Sequence, residues 1–293
     1  MLGQQLVNAL SLGCVYALFA LGFTLIFGVL DVINLSHGAI FMVGAYAALY
    51  SIAQLGLPLW LGFLVAFAIA GVFAGVIDWL VLRPLRHRGA PQLIAMIATI
   101  GIGIILTNVA QGLFGPNNQR FPHGTMPGGT FEFAGVRMTT VELGIIFLSV
   151  ALMVLLMVLM RRTRFGRAMR AVAESPKAAW LLGIDVERLF FTTSFVAGGL
   201  GGIAGVLIGL YSDALYPLMG EPMLQKGIAV VILGGLGSIP GAMLGGLFLG
   251  FSEVLSVAYV GSTMRDAVAF GLLFLVLLLR PQGLFGKTAQ RKA

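Results

Sequence analysis

The chain has 293 residues, of which 59% are apolar and 10% charged, and its mean hydropathy is +1.00. A soluble domain carries about 25% Asp, Glu, Lys and Arg, so this composition excludes a soluble enzyme or soluble binding domain and indicates a membrane protein. The net charge of +7 is not a nucleic-acid footprint in such a chain. Its distribution reports orientation.

Charge-free runs cover 1–30, 32–77, 189–212 and 227–252, each longer than the ~20 residues a helix needs to cross hydrocarbon. They lack the short polar alternation of an outer-membrane barrel, so they read as spanning helices. The start, Met1-Leu2-Gly3-Gln4-Gln5, carries no Lys or Arg, unlike the basic region of a cleavable signal peptide, and the first segment is expected to stay as a helix. The single cysteine, Cys14, permits no intramolecular disulfide and no cysteine-based metal site.

In chain order the apolar segments fall at about 7–30, 33–54, 58–82, 92–114, 141–160 and 189–211. From Lys226 the apolar sequence runs to Tyr259 and is interrupted by Gly234-Gly235-Leu236-Gly237-Ser238-Ile239-Pro240. Glycine and proline disfavour a continuous helix there, which predicts a discontinuous pair, 226–236 and 241–259. A last segment is expected over 264–280. Fourteen of the 18 Lys and Arg lie in 83–88, 161–188 and 280–292. Cationic loops beside spans are retained in the cytoplasm, so these three regions are expected to share that side, with the N-terminus and the loop 115–140 outside. The expected fold is all-α: one polytopic bundle over 1–293 with eight or nine membrane segments, at least one of them broken or re-entrant. Glycines four apart, as at Gly198/Gly202 and Gly246/Gly250, predict close helix packing.

Catalytic signatures are missing. Gly286-Lys287-Thr288 ends like a phosphate-binding loop, but the required earlier glycine falls on Pro281. His37, His87 and His123 are dispersed, which argues against a metal site, and no paired catalytic groups are visible. Neither an enzyme nor a cofactor is expected. Glu253 alone falls well inside a span, either hydrogen-bonded to a neighbouring helix or placed on a pathway.

The stretch 161–188 is the most informative loop. Ser175 suits an N-cap, Pro176 the first helical position and Gly183 a left-handed cap, predicting a two-turn helix over 176–182. Ala178 and Ala179 offer a small patch for close docking, and Trp180, Leu181 and Leu182 apolar contact. Such a helix meets a partner or lies on the lipid surface.

Lys177-Ala178-Ala179-Trp180-Leu181-Leu182-Gly183 is similar to the Glu-Ala-Ala-x-x-x-Gly loop of ATP-binding cassette importer permeases, with Lys177 in place of the glutamate and no later Leu-Pro. Four further motifs look like the first, high-affinity-system type of permease in branched-chain amino acid importers. They are Tyr16 to Leu30, Val32-Ile33-Asn34-Leu35-Ser36-His37-Gly38, Gly234 to Ala242, and Arg280-Pro281-Gln282-Gly283-Leu284-Phe285-Gly286. The resemblance covers nearly the whole chain. It implies a subunit of the bacterial inner membrane that pairs with a second homologous permease, as a heterodimer or homodimer. It also implies two cytoplasmic ATPase subunits and an extracytoplasmic solute-binding protein, with no nucleic acid involved. Coupling would fall to Glu174, Lys177, Ala178, Ala179, Trp180, Leu181 and Gly183.

Candidate passage residues are Asn34, Ser36, His37 and Gly38 at a broken helix start, Thr99 and Asn108 on the fourth span, Gly235, Gly237 and Ser238 at the glycine break, and Glu253. For the first group a capped turn at the membrane edge is the alternative, and for the glycine break a packing bend. Branched-chain amino acids are the implied cargo, with urea or short amides as alternatives carried by relatives. An ion-coupled carrier acting alone is the competing class.

Overall fold

A computed structural model describes residues 2–122, 124–125, 128–133 and 136–286. His123, Lys287, Thr288 and the rest of the basic tail lie outside the described residues. The elements run α1 (Leu2–Leu30), α2 (His37–Leu55), α3 (Leu59–Ile77), a π turn (Asp78–Leu82), α4 (Arg83–His87) and α5 (Gln92–Phe114). A hairpin of β1 (Thr130–Phe133) and β2 (Val136–Thr139) follows, then α6 (Thr140–Arg162), α7 (Arg164–Glu174), α8 (Pro176–Leu181), α9 (Val186–Ser212), α10 (Gly220–Gly234), α11 (Ile239–Tyr259) and α12 (Arg265–Leu279). Eight helices among the described residues are long and apolar enough to cross a membrane. The fold is the expected all-α bundle. The hairpin in the loop 115–140 is an addition, paired antiparallel with Thr130 opposite Thr139.

α1 is the axis of the bundle. It is apolar on every face and buried along almost its whole length, as a helix surrounded by other helices must be. Its 29 residues span about 44 Å at 1.5 Å per residue, more than the hydrocarbon thickness. Glycine lets its neighbours reach backbone contact: a Cβ on Gly13 would lie 2.9 Å from the Leu247 Cα, and one on Gly246 would overlap the Ala17 backbone. α9 meets α3 in the same way, with Gly198 and Gly202 against Ala70. Without a hydrophobic drive between helices in lipid, such contacts hold them together by dispersion and packing.

The second half of the bundle repeats the first upside down. α1 ends in Asp31 and α9 in Asp213, both left-handed, at φ 53° and 49°. Seven residues after each comes a glycine, Gly38 and Gly220, at the start of α2 and α10. These two glycines touch: a Cβ on either would overlap the other's carbonyl oxygen. Both helices therefore begin inside the bundle. His37 lies 3.0 Å from the Cβ position of Gly22, which is eight residues, or about 12 Å, inside the end of α1. α1 packs on α11 as α9 packs on α3. The end of α1 and the start of α9 share one cavity wall, so the two units run in opposite senses. With 15 residues, α10 is short of a full span, but 213–219 and α10 together carry the chain from one end of the bundle to the other. Among the described residues that makes nine passages, the eight long apolar helices and α10, and it puts the start of α1 and the end of α12 at opposite ends.

α1 starts at Leu2 rather than 7, and three further element boundaries differ from the sequence expectation. α2 starts at His37 rather than 33, because Asn34 Oδ1 accepts from the Ser36 backbone N and Oγ and holds 34–36 in a turn. α10 starts at Gly220 rather than 226, which puts Lys226 inside a helix. α3 continues through the π turn into α4, where Arg83, Arg86 and His87 lie.

That continuation gathers the charges at one end. The loops 83–88 and 161–188 and the stretch 280–286 all sit there, hereafter the basic end. Arg86 binds the buried Asp78 through two bonds of 2.7 and 3.3 Å, lies 4.4 Å over the Phe190 ring, and reaches Glu187 at 3.5 Å. Arg83 and His87 meet the same Glu187 at 3.1 and 3.4 Å. The start of α9 is thereby fastened to the end of α3. Removing one partner of such a pair strands a charge at a cost of about 3–5 kcal/mol. Arg86→Ala is expected to lower the unfolding free energy by about that much, read as a depressed thermal midpoint in detergent. Adding Asp78→Asn should recover most of the loss, and an Arg86→Ala chain as stable as the parent would show that the pair holds nothing.

Candidate functional site

The chain turns sharply after α6. Thr163 Oγ1 donates to Leu159 O at 2.6 Å and accepts from Gly166 N at 3.2 Å, so one side chain closes α6 and caps α7. Gly166 is required here, since a Cβ would overlap the Met160 backbone, and Arg170 donates to the Met160 carbonyl. α7 then runs amphipathically, burying Gly166, Met169 and Val172. Ser175 Oγ accepts from Ala178 N at 3.3 Å, Pro176 opens α8, and Gly183 at φ 84° ends it. These are the residues from which the short helix was read.

One expectation about α8 is corrected. Ala178 and Ala179 do not form a joint docking patch: Ala179 is 1% exposed and turns inward, its carbonyl accepting Ile184 N at 3.1 Å. Ala178 and Lys177 face out. Beyond them Trp180, Leu181 and Leu182 are 68, 77 and 80% exposed. Three consecutive large apolar side chains beyond a ring of arginines form a contact surface rather than a solvated one. Asp185 Oδ1 caps α9 by accepting Arg188 N at 3.0 Å, and Glu187 follows in the first turn. α8 is thus joined through four residues to the Arg86 cluster.

Two cavities flank the contact between Gly28 and Gly237 at the basic end, one of about 770 Å³ and one of about 700 Å³. Both are walled by Glu174 of the elbow and by Leu236 and Gly237 of the glycine break; Ser238 lines the second. The break is a tight loop. Ser238 Oγ accepts Gly241 N at 3.2 Å, and Gly235, at φ 97°, lies against the Gly286 backbone. The last turn of α10 has free carbonyls. Leu284 N donates to Leu233 O at 2.8 Å and Phe285 N to Gly234 O at 3.1 Å. Two motifs separated by 37 residues in the sequence are therefore one structural unit.

The remaining passage candidates divide. Asn34, Ser36, His37 and Gly38 are buried at the inner helix start, with His37 packed against Phe19 at 4.8 Å and Phe23 at 5.6 Å. Thr99 Oγ1 accepts Leu35 N at 3.1 Å and so belongs with them. Asn34 and Thr99 serve the broken backbone, while both ring nitrogens of the buried His37 are without a hydrogen-bond partner among the described residues; the burial favours a packed break inside the bundle over a turn at its edge. Asn108 is not with them: it is exposed on α5 and donates to its own helix at Ile104 O, 2.8 Å. Glu253 is buried and accepts from Tyr16 Oη at 2.8 Å and Lys226 Nζ at 2.7 Å, and also from Arg265. It is not alone within the bundle, because Lys226 lies six residues into α10. Tyr16, Lys226, Arg265, Arg86 and Glu187 were not singled out as site residues from sequence, and Asp78 was placed only near a basic-side helix end. The only available signal was Glu253 itself, a carboxylate whose burial demands cations nearby.

The family model described as branched-chain amino acid transport system, permease component, matches residues 5–277. The chain is 37% identical to the high-affinity branched-chain amino acid transport system permease protein LivH of Salmonella typhimurium, covering 99% of this chain and 97% of that one. It is 37% identical, with the same coverage, to the corresponding protein BraD of Pseudomonas aeruginosa. With the permease protein LivM of Escherichia coli K12 it shares 27% identity, over 98% of this chain and 72% of the other. No solved structure matches. The chain is a multi-pass membrane protein and belongs to the permease component family of branched-chain amino acid transport systems.

Proposed function

We propose that this chain is a passage-forming subunit of an ATP-driven importer for branched-chain amino acids in the bacterial inner membrane, with its basic end in the cytoplasm. The names of the relatives support the cargo, and the three basic segments at one end support the orientation. The observation that carries the reading is the elbow: a capped two-turn helix presenting Trp180, Leu181 and Leu182 outward, fastened behind to α9. Separate ATPase subunits dock there, a second permease completes the passage, and a solute-binding protein delivers the amino acid to the opposite end. The match to LivM supports a pair of unlike permeases. Asn108, uncovered on α5, then faces the second permease, since an amide at membrane depth needs protein or water beside it.

Force applied to α8 has two routes inward. Through Glu187 it reaches Arg86 and α3; through Glu174 it reaches the cavities beside Gly28 and Gly237. The second route bears on Gly235, Gly237 and Ser238, whose backbone carbonyls and amides are available to a zwitterion once the break opens. A change of state requires contacts that differ between states, and the cavities give the elbow room to make them.

Two outcomes are expected. Reconstituted with its ATPase and binding-protein partners, the permease should take up leucine only when ATP is supplied, and uptake by the chain alone under an ion gradient would replace this reading with a carrier. Ala178→Trp or Trp180→Ala should weaken ATPase binding roughly 30-fold, the effect of losing one central contact residue. Insertion and thermal stability should stay unchanged, because both side chains are exposed. Ala179→Trp should destabilise the fold itself, and co-purification with melting curves separates the cases.

A further inference from the structure

The second of the two cavities, about 700 Å³, has walls unlike those of a polar passage. Leu25 of α1, Met157 and Met160 of α6, Met169 of α7, Ile239 at the start of α11 and Phe285 line it, and Arg161 and Arg170 border it. It is a groove between the ends of membrane-spanning helices, apolar along the helices and cationic at the rim. Methionine supplies three of these walls and accommodates flexible apolar shapes.

Arg161 at the rim is one of four arginines carried on the adjoining ends of α6 and α7. Arg161, Arg162, Arg164 and Arg167 are exposed, and within the described residues none makes an ion pair, although ten such pairs exist elsewhere. They stand around the N-terminus of α7, which carries no acidic residue in its first turn. Arg161 and Arg162 lie in the last turn of α6, whose carbonyl end favours cations, whereas Arg164 and Arg167 open α7, whose N-terminus is itself positive and favours an anion; the four guanidinium groups repel one another. Glu174 is the carboxylate lining the groove, and it lies toward the wall shared with the neighbouring cavity. Arg170 is committed to the Met160 carbonyl and fixes the corner rather than the anion.

We propose that this groove binds one anionic phospholipid from the leaflet at the basic end. Its phosphate lies against Arg161, with Arg164 and Arg167 beside it, and the first part of an acyl chain lies along Met157, Met160 and Leu25. Clusters of cations next to a membrane helix attract anionic headgroups electrostatically, and the apolar floor adds hydrophobic contact that a free phosphate does not use. The lipid bridges the elbow to the start of α11. Its presence then sets how firmly motion at the elbow is passed on, a consequence that rests on the proposed coupling role, whereas binding itself does not.

The test is lipid retention, which is read independently of transport. The purified chain is exchanged into nanodiscs of phosphatidylcholine with or without phosphatidylglycerol, extracted into mild detergent, and its bound lipids are identified by native mass spectrometry. The chain should retain phosphatidylglycerol over phosphatidylcholine. Arg161→Gln with Arg164→Gln should reduce that retention about 30-fold, and Met157→Trp, which fills the groove and leaves the arginines in place, should reduce it as well. Circular dichroism of each variant shows whether it is folded. Equal retention of the two lipids by the parent chain would overturn the proposal. So would loss in the arginine variant alone, which would mean a diffuse surface attraction. Arginine variants that keep the lipid but lose ATPase co-purification would assign these residues to the protein partner instead.

Discussion

Backbone that leaves a helix inside a bilayer has no water to bond, and each exposed amide or carbonyl there costs several kcal/mol. The fold depends on how this chain meets that constraint at three places. At 34–36, Asn34 and Thr99 accept the freed amides of Ser36 and Leu35. At 213–219, Leu215 pairs through both its amide and its carbonyl with Gln119 of the opposite-end loop, each bond 2.8 Å. At 235–238, the segment 284–285 returns to bond the end of α10. None of these solutions is wholly local: each brings in another part of the chain, and so each break fixes where a distant element must lie. The loop after α5 and the segment after α12 are positioned by the helices they satisfy.

The inverted repeat follows from the same requirement. A left-handed residue ends α1 and α9, the chain turns back into the bundle, and a glycine allows the new helix to start against its counterpart. Asp31 and Asp213 tolerate positive φ because a short polar side chain suffers little there. Gly38 and Gly220 are needed for another reason, the absence of a Cβ where two backbones meet. Two helices that begin at one contact and leave toward opposite ends share that contact as a common point. Displacement of α10 at the basic end is therefore referred to the start of α2.

Most of the spans were legible because a lipid-facing or buried helix must be apolar for about 20 residues, and Pro240 with its preceding glycines marked the one long break. The elbow was legible too, since Ser175, Pro176 and Gly183 each have a backbone reason to be where they are. The pairing of Gly38 with Gly220 was not. A close approach needs only a missing side chain, and among 41 glycines nothing in composition distinguishes those two. Neither was the orientation of Ala179 legible, because a two-turn helix shows no periodicity and its inward face is set by Ile184 across the Gly183 turn. Lys226 was read as the boundary of a span, as a charge usually is. Its partner Glu253, 27 residues later, cancels the reason for placing it outside. The hairpin at 130–139 was obscured by the Gly and Pro around it, although Thr139 and Glu142 form a capping box that marks the start of α6.

The two charge clusters differ in what they immobilise. Glu253 ties α1, α10, α11 and α12 at one point through Tyr16, Lys226 and Arg265, and its carboxylate is buried, so breaking any one of those contacts costs it a hydrogen bond in low dielectric. That end of α10 is held firmly. The other end is held by two backbone hydrogen bonds from 284–285 and by a glycine loop between two cavities, where few side chains interlock. Stiffness along α10 is thus unequal, high at Lys226 and low at Gly235. The Arg86 cluster makes the start of α9 stiff in the same way. In the proposed coupling, motion arriving at α8 would meet anchors at Glu187 and Glu253, and the glycine break beside Glu174 is the element that can yield without stranding a charge.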